Sequence, residues 1–316
     1  VAVGSKVIFI PCNANVVGVL DTKAPHGTSQ FSTVTLGGLV TGPFKFIGGA
    51  VIGGTVYFAP LNANVIGVFD TAADGGKGVF STISLDGKLS GSFKFYRAAA
   101  IGSKVYFTPY DANVVGVLDT APPTGGPAQF STISLDTSLR GVDKFRGAVV
   151  VGRKIVFVPF HADVIGILDT TGNDGAGMIS TVSLQGNVRV DYKFDGAAVV
   201  GSRVYFAPCN ADVVGVYDAA ATEGKGEFNV ISLEGKVHGF DKFSGAAVVG
   251  DKVYFAAFHA GMVGVVDTGA IEGGGAFHAL SMDGKGGGCA SFAGAALVGN
   301  KVYFAPCNAA CIGVME

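Results

Sequence analysis

Short apolar runs, punctuated by Gly, Asn, Asp and Pro, fill the chain from Val1 to Glu316. Four kinds recur in a fixed order. They are a small-residue run such as Gly-Ala-Ala-Val-Val-Gly at 245–250, Lys-Val-Tyr-Phe-Ala at 252–256, Val-Val-Gly-Val-Tyr-Asp at 213–218, and the more polar Phe-Ser-Thr-Ile-Ser-Leu at 80–85. Each is short, rich in β-branched and aromatic residues and bounded by turn formers, so each predicts a strand. We label them strands A to D of an antiparallel meander.

The meander is written nearly seven times. The residue closing strand B is Pro11, Pro60, Pro109, Pro159, Pro208 and Pro306, with Ala257 in the sixth copy, at steps of 49 or 50 residues. A repeat of that length and strand count predicts an all-β fold, a seven-bladed β-propeller of ~49-residue four-stranded repeats forming a single domain over 1–316. Strand A is Gly, Ala, Val and Ile almost throughout, which suits innermost strands crowded around an axis. Strand C carries a Gly in all seven copies (Gly18, Gly67, Gly116, Gly166, Gly215, Gly264 and Gly313), predicting a bulge or a close contact with a neighbouring ring. The Asp ending strand C in six copies predicts a side chain that caps the C–D turn.

Composition removes several function classes. Net charge is -2, from 22 basic and 24 acidic residues spread along the chain, so no basic stripe exists to neutralise phosphates. Nucleic acid is not an expected partner. Gly, Asp and Lys interrupt every apolar stretch before the length of a membrane helix is reached, so a soluble domain is expected. Attachment to the periphery of a membrane complex stays compatible with this. The compartment is not readable; an organelle reached by removal of a targeting segment before Val1 fits the sequence.

The alternation of a VYFAP-type strand, an N-A-N-V-V-G-V-x-D-T strand and a polar FSTISL strand resembles the blade repeats of the streptogramin-lyase, YVTN and NHL group of propellers, and those of uncharacterised algal propellers. The resemblance covers the whole chain and implies the fold; a shared blade motif does not imply an activity.

Candidate sites concentrate on the face carrying the B–C and D–A connections. One ring of positions there holds Asn13, Asn62, Asp111, His161, Asn210, His259 and Asn308; a second holds Lys45, Lys94, Lys144, Lys193, Lys242 and Ser291. The two rings predict either an anion site or lysines bonded to turn carbonyls and carboxylates. Departures from the repeat carry more weight, notably Arg146, Arg153 and His161 in blade 4 and His259 in blade 6. A catalytic set of His161, His238, His259, Asp195 and Asp241 is one expectation. Cysteines Cys12, Cys209, Cys289, Cys307 and Cys311 all map to this face. Cys307 and Cys311 face each other across a turn and could pair as a disulfide. Cys289, Cys307 and Cys311 with Cys12 or His259 could instead hold a soft metal, or the thiols stay reduced.

Near-identity of the blades favours a non-catalytic interaction or scaffold propeller, a peripheral subunit of a larger assembly whose partners are other proteins, with no cofactor and no metal in the central channel. The alternative is a lyase- or lactonase-like enzyme acting on a small molecule at the B–C/D–A face. Only six copies of strand D are present, so the seventh blade is expected to lack its outer strand, supplied from upstream of Val1 or by an associated subunit.

Overall fold

The computed structural model describes every residue except 24–29, 86, 124, 173–176, 270–274 and 283–290, and the side chain of Glu223. Strands β1 (Ala2–Val3), β2 (Lys6–Phe9), β3 (Val16–Asp21) and β4 (Phe31–Thr35) form the first sheet. The second holds β5 (Phe46–Ile52), β6 (Thr55–Pro60), β7 (Val65–Asp70) and β8 (Val79–Ser84), and the third β9 (Phe95–Ile101), β10 (Lys104–Pro109), β11 (Val114–Asp119) and β12 (Gln129–Ser134). The fourth runs β13 (Phe145–Val151), β14 (Lys154–Pro159), β15 (Val164–Asp169) and β16 (Met178–Ser183). Then come β17 (Phe194–Val200), β18 (Arg203–Pro208), β19 (Val213–Asp218) and β20 (Glu227–Ser232), followed by β21 (Phe243–Val249), β22 (Lys252–Ala257), β23 (Met262–Asp267) and β24 (Ala276–Ser281). The seventh sheet has three strands, β25 (Phe292–Val298), β26 (Lys301–Pro306) and β27 (Gly313–Met315). In every sheet the strands lie in chain order. The fold is a seven-bladed β-propeller.

Two compact units divide the chain, one taking in Val1–Ala148 and the other Val149–Gly172 and Met178–Glu316. Within each, the core lies between successive sheets. In the first unit, Ile8, Val17 and Val19 pack with Phe46, Val56 and Phe58, and Ala59 and Ile66 with Phe95, Val105 and Phe107. In the second, Val156 and Ile165 meet Phe194, Val204 and Phe206, and Tyr205 and Val214 meet Phe243, Val253 and Phe255. Each middle strand therefore buries apolar side chains on both faces, which explains why strands B and C read as continuous apolar runs.

The strand C glycine is explained by register. It pairs with the strand B Phe in every blade, Phe58 with Gly67 for example, and a Cβ there would lie 2.7 Å from Phe58 and 3.1 Å from Phe46. Ring contact, one of the two readings of the sequence, is the cause. The irregularity falls instead on strand A, where the pairing with strand B shifts between Phe46 and Gly49 and at the same place in later blades. The Asp ending strand C caps its turn: Asp70 Oδ1 accepts from the Ala72 amide at 2.9 Å, and Asp169 from that of Thr171 at 3.0 Å. Among the described residues no helix is long and apolar enough to cross a membrane.

Candidate functional site

The Lys-Phe pair at the D–A connection is a structural device. Lys45, Lys94, Lys144, Lys193 and Lys242 are all buried, none more than 4% exposed. Lys45 Nζ donates to the carbonyls of Asn13 and Gly42 at 3.0 and 2.9 Å, and Lys94 Nζ to those of Asn62 and Gly91 at 3.2 and 2.6 Å. Lys193 and Lys242 add carboxylates, Asp163 at 2.9 Å and Asp212 at 3.1 Å. Of the two sequence readings of this ring, the bonded turn is the one formed. Among the described residues Lys94 and Lys144 form no such ion pair, and burial holds both ammonium groups down at about 8, opposed at Lys144 by the nearby Asp111 and Asp143.

The Asn ring performs a second task. Asn13 Oδ1 accepts from the Phe44 amide and Asn62 Oδ1 from the Phe93 amide, both at 2.8 Å; Asp111 and Asn210 do the same for Asp143 and Asp241. The residues so held have φ of 50–55°, the left-handed region that side chains avoid. Their side chains stand at the loop tips. Phe44 and Phe93 are 44% and 39% exposed, with ring centroids 6.1 Å apart.

Beside them in the first unit lies a cluster that strand composition hid. Tyr96 and Tyr110 are buried with centroids 5.4 Å apart. The Arg146 guanidinium sits 4.8 Å from the Tyr96 ring centre and donates to Tyr110 Oη at 3.3 Å. Burial, with Asp143 accepting from the phenol, pushes Tyr110 well above the usual tyrosine range, and the nearby Arg146 opposes this only in part. Arg97 adopts φ 66° where other blades place glycine, and its guanidinium reaches Tyr96 at 5.7 Å. Its side chain runs over Gly48, where a Cβ would come within 2.6 Å of Arg97 Cγ. The available signal was the residue after the strand A Phe, which reads Ile47, Tyr96, Arg146, Asp195, Ser244 and Ala293 in otherwise similar repeats.

Blade 4 departs furthest. His161 replaces the capping Asn, and its Nε2 lies 3.1 Å from Asp191 Oδ1. Tyr192, left-handed at φ 56° and 40% exposed, stacks on Phe160 at 4.7 Å and meets His161 edge-on at 5.9 Å. A groove of about 500 Å³ opens here, lined by Asp163, Leu184, Val188, Val190, Asp191 and Lys193 among others.

The remaining expected residues form separate small groups. His259 Nδ1 is 3.9 Å from Asp241 Oδ2, while the buried Cys209 thiol donates to Asp241 Oδ1 at 3.2 Å. Asp195 is buried and accepts from Ser244 Oγ at 3.0 Å. His238 is exposed, over Gly235. Within the expected catalytic set, the contact among the described residues is that of His259 with Asp241. Cys307 and Cys311 are exposed at the β26–β27 turn with no bond between them, and desolvation raises the Cys307 thiol. Cys12 is half-buried, and Cys289 lies outside the described residues. Among the described residues no three His, Cys, Asp or Glu side chains are grouped to hold a metal ion.

Comparison with known proteins reaches the fold and stops there. No family model and no curated protein matches the chain. Solved structures do. A catalytically inactive variant of virginiamycin B lyase from Staphylococcus aureus, solved with quinupristin, superposes with a TM-score of 0.65 at 15% identity, over 95% of this chain and 88% of that one. Hydrazine synthase of Kuenenia stuttgartiensis gives 0.66 at 13% identity, over 99% and 92%. A chain from a nidogen/laminin complex gives 0.52 at 15%, over 84% and 89%. The likeness to a streptogramin lyase agrees with the blade motif. At these identities each neighbour shares architecture, and their differing names show how little the architecture fixes chemistry.

Proposed function

We propose that this chain is a protein-interaction propeller that engages partners through its B–C/D–A face. The observation that carries this is the Phe44–Phe93 pair, two aromatic rings held half-exposed at loop tips in left-handed backbone that Asn13 and Asn62 stabilise. Backbone strain of this kind concentrates where a loop must present a side chain, and exposed aromatics dominate protein interfaces. Leu39 and Val142 in the same unit, and Tyr192 and Phe240 in the other, add exposed apolar area on D–A connections. The test places a photo-crosslinking benzoylphenylalanine at position 44 or, as control, at Val79 on the outer strand β8. In the native source, position 44 should capture a defined partner and position 79 should not. Capture at neither position, or equally at both, refutes the reading.

A second reading, a lyase- or lactonase-like enzyme, draws on the His161–Asp191 pair beside the blade 4 groove. A carboxylate bonded to one imidazole nitrogen orients a general base. Turnover of a small molecule that is abolished by His161→Ala would support it.

A further inference from the structure

Four D–A connections share a Gly three residues before the buried Lys. Gly42, Gly91, Gly141 and Gly239 adopt φ of 89°, 103°, 140° and 95°, which turns each carbonyl onto the ammonium at 2.9, 2.6, 2.5 and 2.8 Å. Blade 4 places Val190 there. Valine does not tolerate that backbone, and Val190 is not among the residues with positive φ.

The consequence falls on Lys193. Its counterpart Lys242 uses three acceptors, the Asn210 carbonyl, Asp212 and the Gly239 carbonyl. Lys193 has the equivalents of the first two, the His161 carbonyl at 3.0 Å and Asp163 at 2.9 Å. An ammonium has three donors. Lys45 and Lys94 also have two acceptors each, but one of them is the glycine carbonyl; among the described residues Lys193 lacks that carbonyl, and the groove of about 500 Å³ has Lys193 in its wall and Val190 in its lining. That volume lies within the ~300–1,000 Å³ of ligand clefts. A side chain only 2% exposed, with a donor to spare, selects an oxygen acceptor.

The rest of the groove narrows the ligand. Leu184 and Val188 offer apolar wall; the Asp163 and Asp191 side chains are 88% and 69% exposed. Arg189, the other cation, is folded back onto the Gly186 carbonyl at 3.3 Å. An acceptor oxygen, an aliphatic stem and a cationic head are the features of a peptide unit bearing lysine or arginine.

We propose that the blade 4 groove binds a basic peptide segment of a partner. One main-chain carbonyl takes the place on Lys193 that the glycine carbonyl fills in blade 5, and a lysine or arginine side chain from the same segment reaches Asp163 and Asp191. This rests on the interaction reading and assigns the partner's chemistry.

The test uses the whole chain and three probes, acetyl-lysine N-methylamide, acetyl-glutamate N-methylamide and n-butylamine, titrated against backbone amide NMR shifts. The lysine probe should give saturable shifts confined to 161–163 and 184–193, with the other two at least threefold weaker. Val190→Gly, which restores the repeat's own residue, should weaken the lysine probe at least threefold; Val190→Ala should retain it, and Asp191→Asn should weaken it. No saturable shift, equal response to butylamine or glutamate, or indifference to Val190→Gly overturns the assignment. If position 44 still captures its partner, only the groove assignment falls; if both fail, so does the interaction reading.

Discussion

Arg97 occupies a position that other blades give to Gly48, Gly147, Gly196, Gly245 and Gly294, all with positive φ. Left-handed backbone costs a side-chain-bearing residue about 1 kcal/mol relative to glycine, so Arg97 must recover this through its packing over Gly48 and Tyr96. Arg97→Ala keeps the strain and loses the packing, whereas Arg97→Gly loses both. Denaturant titration should therefore find the Ala variant less stable than the Gly variant by about 1 kcal/mol. Equal stabilities would mean that the backbone is not strained. Lys94 gives a second prediction. With its ammonium held at about 8 against 10.5, the unfolded chain binds the proton more tightly, so stability should rise as pH climbs from about 8 to about 10.5, with the full penalty present below that window. Asn64→Asp would place a carboxylate as Asp163 does for Lys193. It should stabilise by about 1–2 kcal/mol at pH 7, with the gain fading by pH 10.5. A gain that persists at high pH would point to some other cause.

At the scale of strands, the repeat was legible because short apolar runs, turn residues and the step between copies all agree. The glycine of strand C was legible as a constraint, and register supplies the reason: it lies opposite a phenylalanine in every blade. Crowding differs among copies. The nearest atom to an added Cβ is Phe58 Cδ2 at 2.7 Å for Gly67, but a Phe31 ring atom at 3.1 Å for Gly18. Gly67→Ala forces rings that are fully buried, Phe46 and Phe58, while Phe31 is 47% exposed and can yield. Gly67→Ala should lose about 1–3 kcal/mol and Gly18→Ala distinctly less, measured by urea unfolding of each variant. Equal losses would assign the glycine to backbone conformation instead of ring contact. Arg146 was legible as a break in the repeat, but the strand A irregularity and the tyrosines gathered around Arg146 were not. Tyr96 and Arg146 stand in a run that otherwise reads as small and apolar, and Tyr110 meets them only across the B–C turn. The Val190 departure is visible in the letters, but its effect on Lys193 needs the carbonyl geometry of the sister loops.

For the molecule as a whole, sequence could not grade the environments of the cysteines, because burial depends on which side chains close over each turn. Cys209 is 2% exposed and donates to Asp241, whereas Cys307 is exposed. Blade 5 has a core on each side. Phe206 and Val204 pack toward Val156 and Ile165, while Tyr205 and Ala207 pack with Phe243 and Phe255. Baring Cys209 by displacing this sheet would therefore open two cores at once, with no cheap local route. Alkylation followed by mass spectrometry should label Cys307 in the folded protein without denaturant, at a rate that climbs with pH because desolvation raises its thiol. Cys209 should label only through unfolding, with a denaturant dependence equal to that of the global transition followed by circular dichroism. A shallower dependence at Cys209 would mean that the B–C face of blade 5 opens on its own, and that the two flanking cores do not act as one cooperative unit.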